Sequence, residues 1–171
     1  RPAEAREHAE QAVHADPENF EACLTLGASL LQTGAAEPAL RWLDKACALR
    51  ADSAEAWTNR GNALLALKQP VEALAALERA TRLDPALADA WTNQGNAQSD
   101  LGRLEEAIAS HERALALQPQ HAEAWYNLGN AWTDRKSTVQ AIAAFERAIA
   151  ARPDFAGAHV DRKSTRLNSS H

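Results

Sequence analysis

The 171-residue sequence contains few cysteines, few aromatic residues and no long apolar run. Two cysteines cannot form the dense disulfide framework of a small secreted domain, so we expect Cys23 and Cys47 to be core residues in a reducing compartment. No apolar stretch approaches the roughly 20 residues needed to cross a membrane. The net charge of −5 argues against nucleic acid as a partner. The composition therefore predicts a cytoplasmic protein that binds neither membrane nor nucleic acid.

Motifs for catalysis and metal binding are also missing. The histidines are scattered, without HExxH or Cys-His spacing. His111 adjoins Glu112, but neighbouring residues on a helix point apart. There is no glycine-rich phosphate loop and no nucleophile elbow. We therefore predict that this chain is not an enzyme and holds no cofactor or metal.

What the sequence does contain is a period of 34 residues. Tryptophan recurs at Trp57, Trp91 and Trp125, and glycine at Gly27, Gly61, Gly95 and Gly129. Such self-similarity indicates a stacked array of units, none of which can bury its apolar face alone. The predicted units cover residues 20–53, 54–87, 88–121 and 122–155, and residues 1–19 fit the second half of an earlier one.

Each unit has the pattern of two helices. In the unit that begins at Ala54, Trp57 and Gly61 recur at helical spacing in the first half. The second half begins near Pro70, because proline suits the first turn of a helix. The unit ends before Pro85, since the residue preceding proline is pushed out of the helical region. The period is therefore helix, turn, helix, turn, which predicts an all-α fold.

This pattern closely resembles the tetratricopeptide repeat, with its signature W-x2-L-G-x2-Y, then A-x3-F, then P. The unit at residues 122–155 fits it through Trp125, Leu128, Gly129, Trp132, Ala141, Phe145 and Pro153. Other units depart from the signature at Arg60 and Gln94 in the leucine position, His111 in the aromatic position and Ala51 in the proline position. The resemblance implies an α-solenoid, a right-handed superhelix of stacked helix-turn-helix units whose first helices line a concave groove.

The repeat pattern stops near the end of the sequence. Residues 156–160 open a further unit with His159 in the tryptophan position, and the phase then breaks. Residues 161–171 lack apolar periodicity and resemble the translation of a sequencing-library adapter. We expect them to be a non-native tail, and the remainder to be an internal piece of a longer repeat protein.

Polar residues on the first helix of each unit share one face, because offsets of three and four residues coincide there. An asparagine amide can donate to a backbone carbonyl and accept from a backbone N–H together, which suits an extended peptide of any sequence. The predicted peptide-binding residues are Asn59, Asn93, Asn127, Thr58, Thr92, Tyr126, Glu55, Asp89 and Glu123.

Two interpretations of these amides stay open. Asn59, Asn93 and Asn127 resemble the asparagine ladder in the repeat region of protein O-GlcNAc transferases. Alternatively, the amides tie neighbouring units together, which is the interpretation we favour for Asn62, Asn96 and Asn130.

Three functions are consistent with the sequence. The first is a protein-interaction scaffold that binds an extended peptide, neutral or basic because Glu55, Asp89 and Glu123 would repel a carboxylate. The second, implied by the resemblance to bacterial repeat proteins, is the substrate-recognition arm of a larger enzyme such as a protein O-glycosyltransferase or sulfotransferase. The third is end-to-end self-association through uncapped ends, because residues 1–19 lack a partner helix.

Overall fold

The computed structural model describes residues 2–168, which form ten α-helices and no β-strand. The helices are α1 (Pro2–Ala15), α2 (Phe20–Gln32), α3 (Ala36–Leu49), α4 (Ala54–Ala66), α5 (Pro70–Leu83), α6 (Ala88–Asp100), α7 (Leu104–Leu117), α8 (Ala122–Asp134), α9 (Thr138–Ala151) and α10 (Ala156–Asn168). The predicted all-α class is confirmed. The chain divides into two compact units, Arg1–Pro85 with α1–α5 and Ala86–His171 with α6–α10. None of the helices within residues 2–168 is long and apolar enough to cross a membrane.

Within each unit, every helix packs against the next one in the chain. First helices also contact each other, α2 with α4 in unit 1, and α8 with both α6 and α10 in unit 2. Pro70 is the first residue of α5, where its missing N–H costs no intrahelical hydrogen bond. Cys23 and Cys47 are buried with free thiols, which agrees with their predicted place in the core.

The recurring glycines allow the two helices of one repeat to approach closely. A Cβ atom on Gly61 would lie 2.5 Å from Cγ of Leu77, and one on Gly129 would lie 2.5 Å from Cε1 of Phe145. Real Cβ atoms do not come so close to a neighbour, so an alanine would displace the opposing side chain or the helix that carries it. This contact offsets the roughly 1 kcal/mol that glycine costs inside a helix.

The turn between paired helices contains one residue in the left-handed region. It is Gly34 (φ 77°) and Lys68 (φ 60°) in unit 1, and Gly102 (φ 73°) and Lys136 (φ 64°) in unit 2. The four positions follow the 34-residue period. Glycine adopts this conformation without a steric penalty, whereas lysine does so at a cost.

The sequence predicts a break at residue 161, but α10 continues from Ala156 to Asn168. Asp161 and Thr165 are four residues apart and lie on the packed side of this helix. Asp161 accepts a hydrogen bond from the Tyr126 hydroxyl (2.7 Å), and Thr165 is buried. The packed side of α10 thus includes two polar side chains, those of Asp161 and Thr165. Residues 169–171 lie outside the described residues, and the adapter origin of residues 161–171 stays a prediction.

Candidate functional site

A stripe of polar side chains runs along the first helices of unit 2. Residues at equivalent phases on α6 and α8 form it, and we call them the polar stripe: Asp89, Asn93, Asn96, Asp100, Glu123, Asn127, Asn130 and Asp134. All eight are half-buried or exposed. Neither helix contains a lysine, arginine or histidine, so the stripe has four carboxylates and no cationic side chain of its own.

One end of the polar stripe forms a groove between α6 and α8. Its volume is about 280 Å³, and it is lined by Asn96, Ser99, Asp100, Asn127, Asn130 and Asp134. Every lining residue is polar and two are carboxylates. Such a groove is suited to hydrogen-bonding groups and to cations rather than to an apolar side chain.

Within this groove two asparagines are bonded to each other. The Nδ2 atom of Asn127 donates to Oδ1 of Asn96 over 2.8 Å. This hydrogen bond ties α8 to α6 and therefore supports the second interpretation of the amides at these two positions. It uses one N–H of Asn127 and one lone pair of Asn96, which leaves each amide with further donor and acceptor capacity.

Asn93 behaves differently from Asn127. Its side chain is half-buried, and its amide has no hydrogen-bond partner among the described residues. The same holds in unit 1 for Asn59 on α4. Because these two amides tie nothing together within their own units, both polar atoms of each remain available to a bound ligand.

Two predicted site residues are buried. Thr58 has 5% of its surface exposed and Thr92 has 2%. Their hydroxyls donate to carbonyl oxygens four residues earlier, Thr58 to Ala54 (2.8 Å) and Thr92 to Ala88 (3.1 Å). The hydroxyls are therefore satisfied inside their own helices, and we leave both threonines out of the site.

Tyr126 occupies the corresponding position on α8 but is anchored inside unit 2. Its ring centroid lies 5.9 Å from that of Phe145 and 4.9 Å from that of Phe155. Its hydroxyl donates to Asp161, and this hydrogen bond, together with burial, raises the pKa of Tyr126. The tyrosine therefore joins α8 to α10 rather than presenting a free hydroxyl.

The three predicted carboxylates are all exposed. Glu55 in unit 1 and Glu123 in unit 2 have no ion-pair partner among the described residues. Asp89 lies 3.0 Å from Nε2 of His121. The other ring nitrogen of His121 accepts from the Ala124 N–H and caps α8.

This role of His121 is absent from the sequence interpretation, although a signal for it exists. His121 directly precedes a helix, at the repeat position where Asn19 caps α2 and Ser53 caps α4. Comparing cap positions along the period would have found it.

The first helices of unit 1 differ from those of unit 2. A groove of about 240 Å³ is lined by Glu21, Leu24, Thr25, Ala28, Ser29, Gln32 and Glu55. Its Glu21 carboxylate pairs with Arg50 over 3.2 Å, and no asparagine lines it. Among residues 2–168, no cluster of three or more His, Cys, Asp or Glu side chains could hold a metal ion.

The alternating helices, their 34-residue period and the polar face on the first helices define a helical-repeat protein. Three family models, each described as a tetratricopeptide repeat, match residues 1–63, 54–87 and 92–155. The chain is therefore a protein of tetratricopeptide repeats. A comparison with curated proteins gives no match.

Solved structures of similar proteins support this assignment. MamA is 27% identical, with a TM-score of 0.75 over 86% of this chain and 86% of that one. TTC0263, a thermophilic TPR protein of Thermus thermophilus, is 24% identical, with a TM-score of 0.83 over 98% of this chain and 91% of that one. YrrB, described as a TPR protein with an unusual peptide-binding site, is 24% identical, with a TM-score of 0.75 over 95% and 84%. These matches establish the shared fold.

Proposed function

We propose that this chain is a protein-interaction scaffold that binds an extended peptide along the first helices of its repeats. In unit 2 the peptide would lie on the polar stripe of α6 and α8. The observation that carries the proposal is the free, half-buried amide of Asn93. Asparagine is a poor helix former, and this one makes no bond that would compensate within its unit. A peptide backbone supplies the donor and the acceptor that this amide needs.

The charge of the stripe favours a basic or neutral peptide. Asp100 and Asp134 line the groove itself, and Glu123 is exposed on α8. Neither Asp100 nor Asp134 has an ion-pair partner among the described residues. Four carboxylates without a cation on their own helices would attract lysine or arginine side chains and repel acidic ones. Hydrogen bonds from the amides to the peptide backbone would supply affinity. The carboxylates would supply selectivity for peptides with basic side chains.

Three labelled 12-residue peptides that alternate serine with lysine, glutamine or glutamate test this proposal. We expect fluorescence polarisation to give the tightest binding for the lysine peptide and the weakest for the glutamate peptide. Added salt should reduce the difference, because it screens exposed charges beyond about 8–10 Å. If none of the three peptides binds saturably, the scaffold proposal is wrong for this surface.

A matched pair of variants locates the charge effect. The double variant Asp100→Asn with Asp134→Asn should reduce the preference for the lysine peptide. Glu112→Gln should not, because Glu112 is an exposed residue of the second helix α7. Equal losses in both variants would show that net charge, and not the groove, attracts the peptide.

A further inference from the structure

The third repeat, residues 88–121, has a polar interior. Besides Thr92, four of its polar side chains are buried: Gln94 (8% exposed), Gln98 (4%), Ser110 (4%) and His111 (0%). The equivalent positions of the fourth repeat, in the same unit, hold Leu128, Trp132, Ala144 and Phe145. The third repeat therefore buries polar groups where its neighbour buries apolar ones.

Gln98 and Ser110 satisfy each other, but His111 is unsatisfied. The Ser110 hydroxyl donates to Oε1 of Gln98 over 2.7 Å. Both ring nitrogens of His111 are buried and have no hydrogen-bond partner within residues 2–168. The ring lies so close to α6 that a Cβ atom on Gly95 would be 2.5 Å from Cε1 and 2.7 Å from each nitrogen. No water fits between the ring and this glycine, so a proton on His111 would have to be buried without compensation there.

Unit 2 has no buried acidic side chain, among its described residues, that could form an ion pair with a protonated His111. Within unit 2, the charged side chains of α6, α7 and α8 and of the adjoining turns are all exposed: Asp89, Asp100, Arg103, Glu105, Glu106, Glu112, Arg113, Glu123, Asp134, Arg135 and Lys136. Electrostatic interaction with His121 also disfavours a positive charge on His111. Burial first, and His121 second, lower the pKa of His111 to about 4.

We propose that His111 makes the third repeat acid-sensitive, so that acidification opens residues 88–121 ahead of the repeats in unit 1. The folded α6–α7 pair accommodates only the neutral ring, whereas the unfolded repeat accepts the proton freely. Opening would remove Asn93, Asn96 and Asp100 from the polar stripe, and a peptide bound there would be released. This last step rests on the proposed function, while the opening itself does not.

The direction in which stability changes with pH follows from proton binding by His111 in the folded and the unfolded repeat. Between the ordinary histidine pKa of about 6.5 and the lowered pKa of about 4, the unfolded repeat binds more protons than the folded one. Stability is therefore unaffected by this group above pH 6.5 and falls as the pH drops toward 4. From pH 7 to pH 5 the opening equilibrium should shift by about twentyfold.

Hydrogen exchange of the full chain, followed by mass spectrometry and corrected for intrinsic exchange rates, tests the opening. Amides of residues 88–121 should lose about twentyfold in protection between pH 7 and pH 5. His111→Phe, which copies Phe145, should abolish the loss, and His111→Leu, which copies Leu77, serves if the larger ring does not fit. His14→Gln, at an exposed histidine, should retain it. An unchanged loss in His111→Phe or His111→Leu, or an equal loss across residues 54–85, would overturn the proposal.

The lysine peptide provides the second readout. Once exchange shows that the open form is a sizeable fraction of the wild-type chains at low pH, the affinity should fall in proportion to the fraction that stays closed, and it should stay constant for His111→Phe. If exchange shows the opening but the peptide does not bind at either pH, the proposed function is wrong and the acid sensitivity stands. If the peptide binds and exchange shows no acid-induced opening, the acid sensitivity is wrong and the binding function stands.

Discussion

The indole Nε1 of Trp125 donates a hydrogen bond to the carbonyl oxygen of Pro119, six residues earlier, over 2.9 Å. The same relationship recurs at the tryptophan position of other repeats: Trp57 to Ala51 (2.9 Å), Cys23 Sγ to Pro17 (3.6 Å), and His159 Nε2 with Pro153 (2.8 Å). In these four repeats the tryptophan position thus holds a donor that ties the first helix to the end of the preceding repeat. This explains why cysteine and histidine can stand there, although neither matches tryptophan in volume.

Replacing Trp125 by phenylalanine should remove the donor and keep an aromatic ring. Trp132 is a matched control, because it is half-buried on the same helix and its indole nitrogen has no hydrogen-bond partner among the described residues. We expect Trp125→Phe to lower the free energy of unfolding by about 0.5–1.5 kcal/mol more than Trp132→Phe. Urea denaturation of both variants measures this difference. Equal losses would show that volume alone matters at this position.

At the left-handed turn residues, one substitution should raise the free energy of unfolding rather than lower it. Lys136 has φ 64° and Gly102 has φ 73° at equivalent positions of unit 2. Lys136→Gly should raise the free energy of unfolding by about 0.5–1 kcal/mol, because glycine adopts this conformation without a steric penalty. Gly102→Ala should lower the free energy of unfolding by a similar amount, because alanine is strained in this conformation. Steric clashes add nothing to that loss, since no atom lies within 4 Å of the added Cβ. Thermal melts of the two variants check both signs, and a less stable Lys136→Gly would refute the strain argument.

The fold could be predicted from sequence because its signals are periodic. The spacing of Trp57 and Gly61 predicts the first helix of a repeat and Pro70 predicts the start of the second, and α4 and α5 confirm both. The left-handed conformation of Lys68 and Lys136 could not be predicted, because lysine has no preference for such turns.

The candidate site was only partly predictable. Helical phase placed Asn93 on the polar stripe, but phase alone could not show that Thr92, one residue earlier, is buried and bonded to its own helix. Nor could it separate Asn127, which bonds Asn96, from Asn93, which bonds nothing in its unit. Those distinctions depend on distances between side chains and backbone atoms, and the repeat period does not encode them.

The measurement that tests the central claim most directly is the affinity of the lysine peptide for the double variant Asn93→Ala and Asn127→Ala, which removes two amides of the polar stripe in unit 2. Each lost hydrogen bond should cost about 0.5–1.5 kcal/mol, so the loss of two should weaken binding by at least about fivefold. Helicity by circular dichroism should be unchanged, because alanine favours helix over asparagine and only Asn127 gives up a bond within its unit. Unaltered affinity in a folded variant, or a collapse in thermal stability instead, would contradict the account and show that the amides serve only the fold.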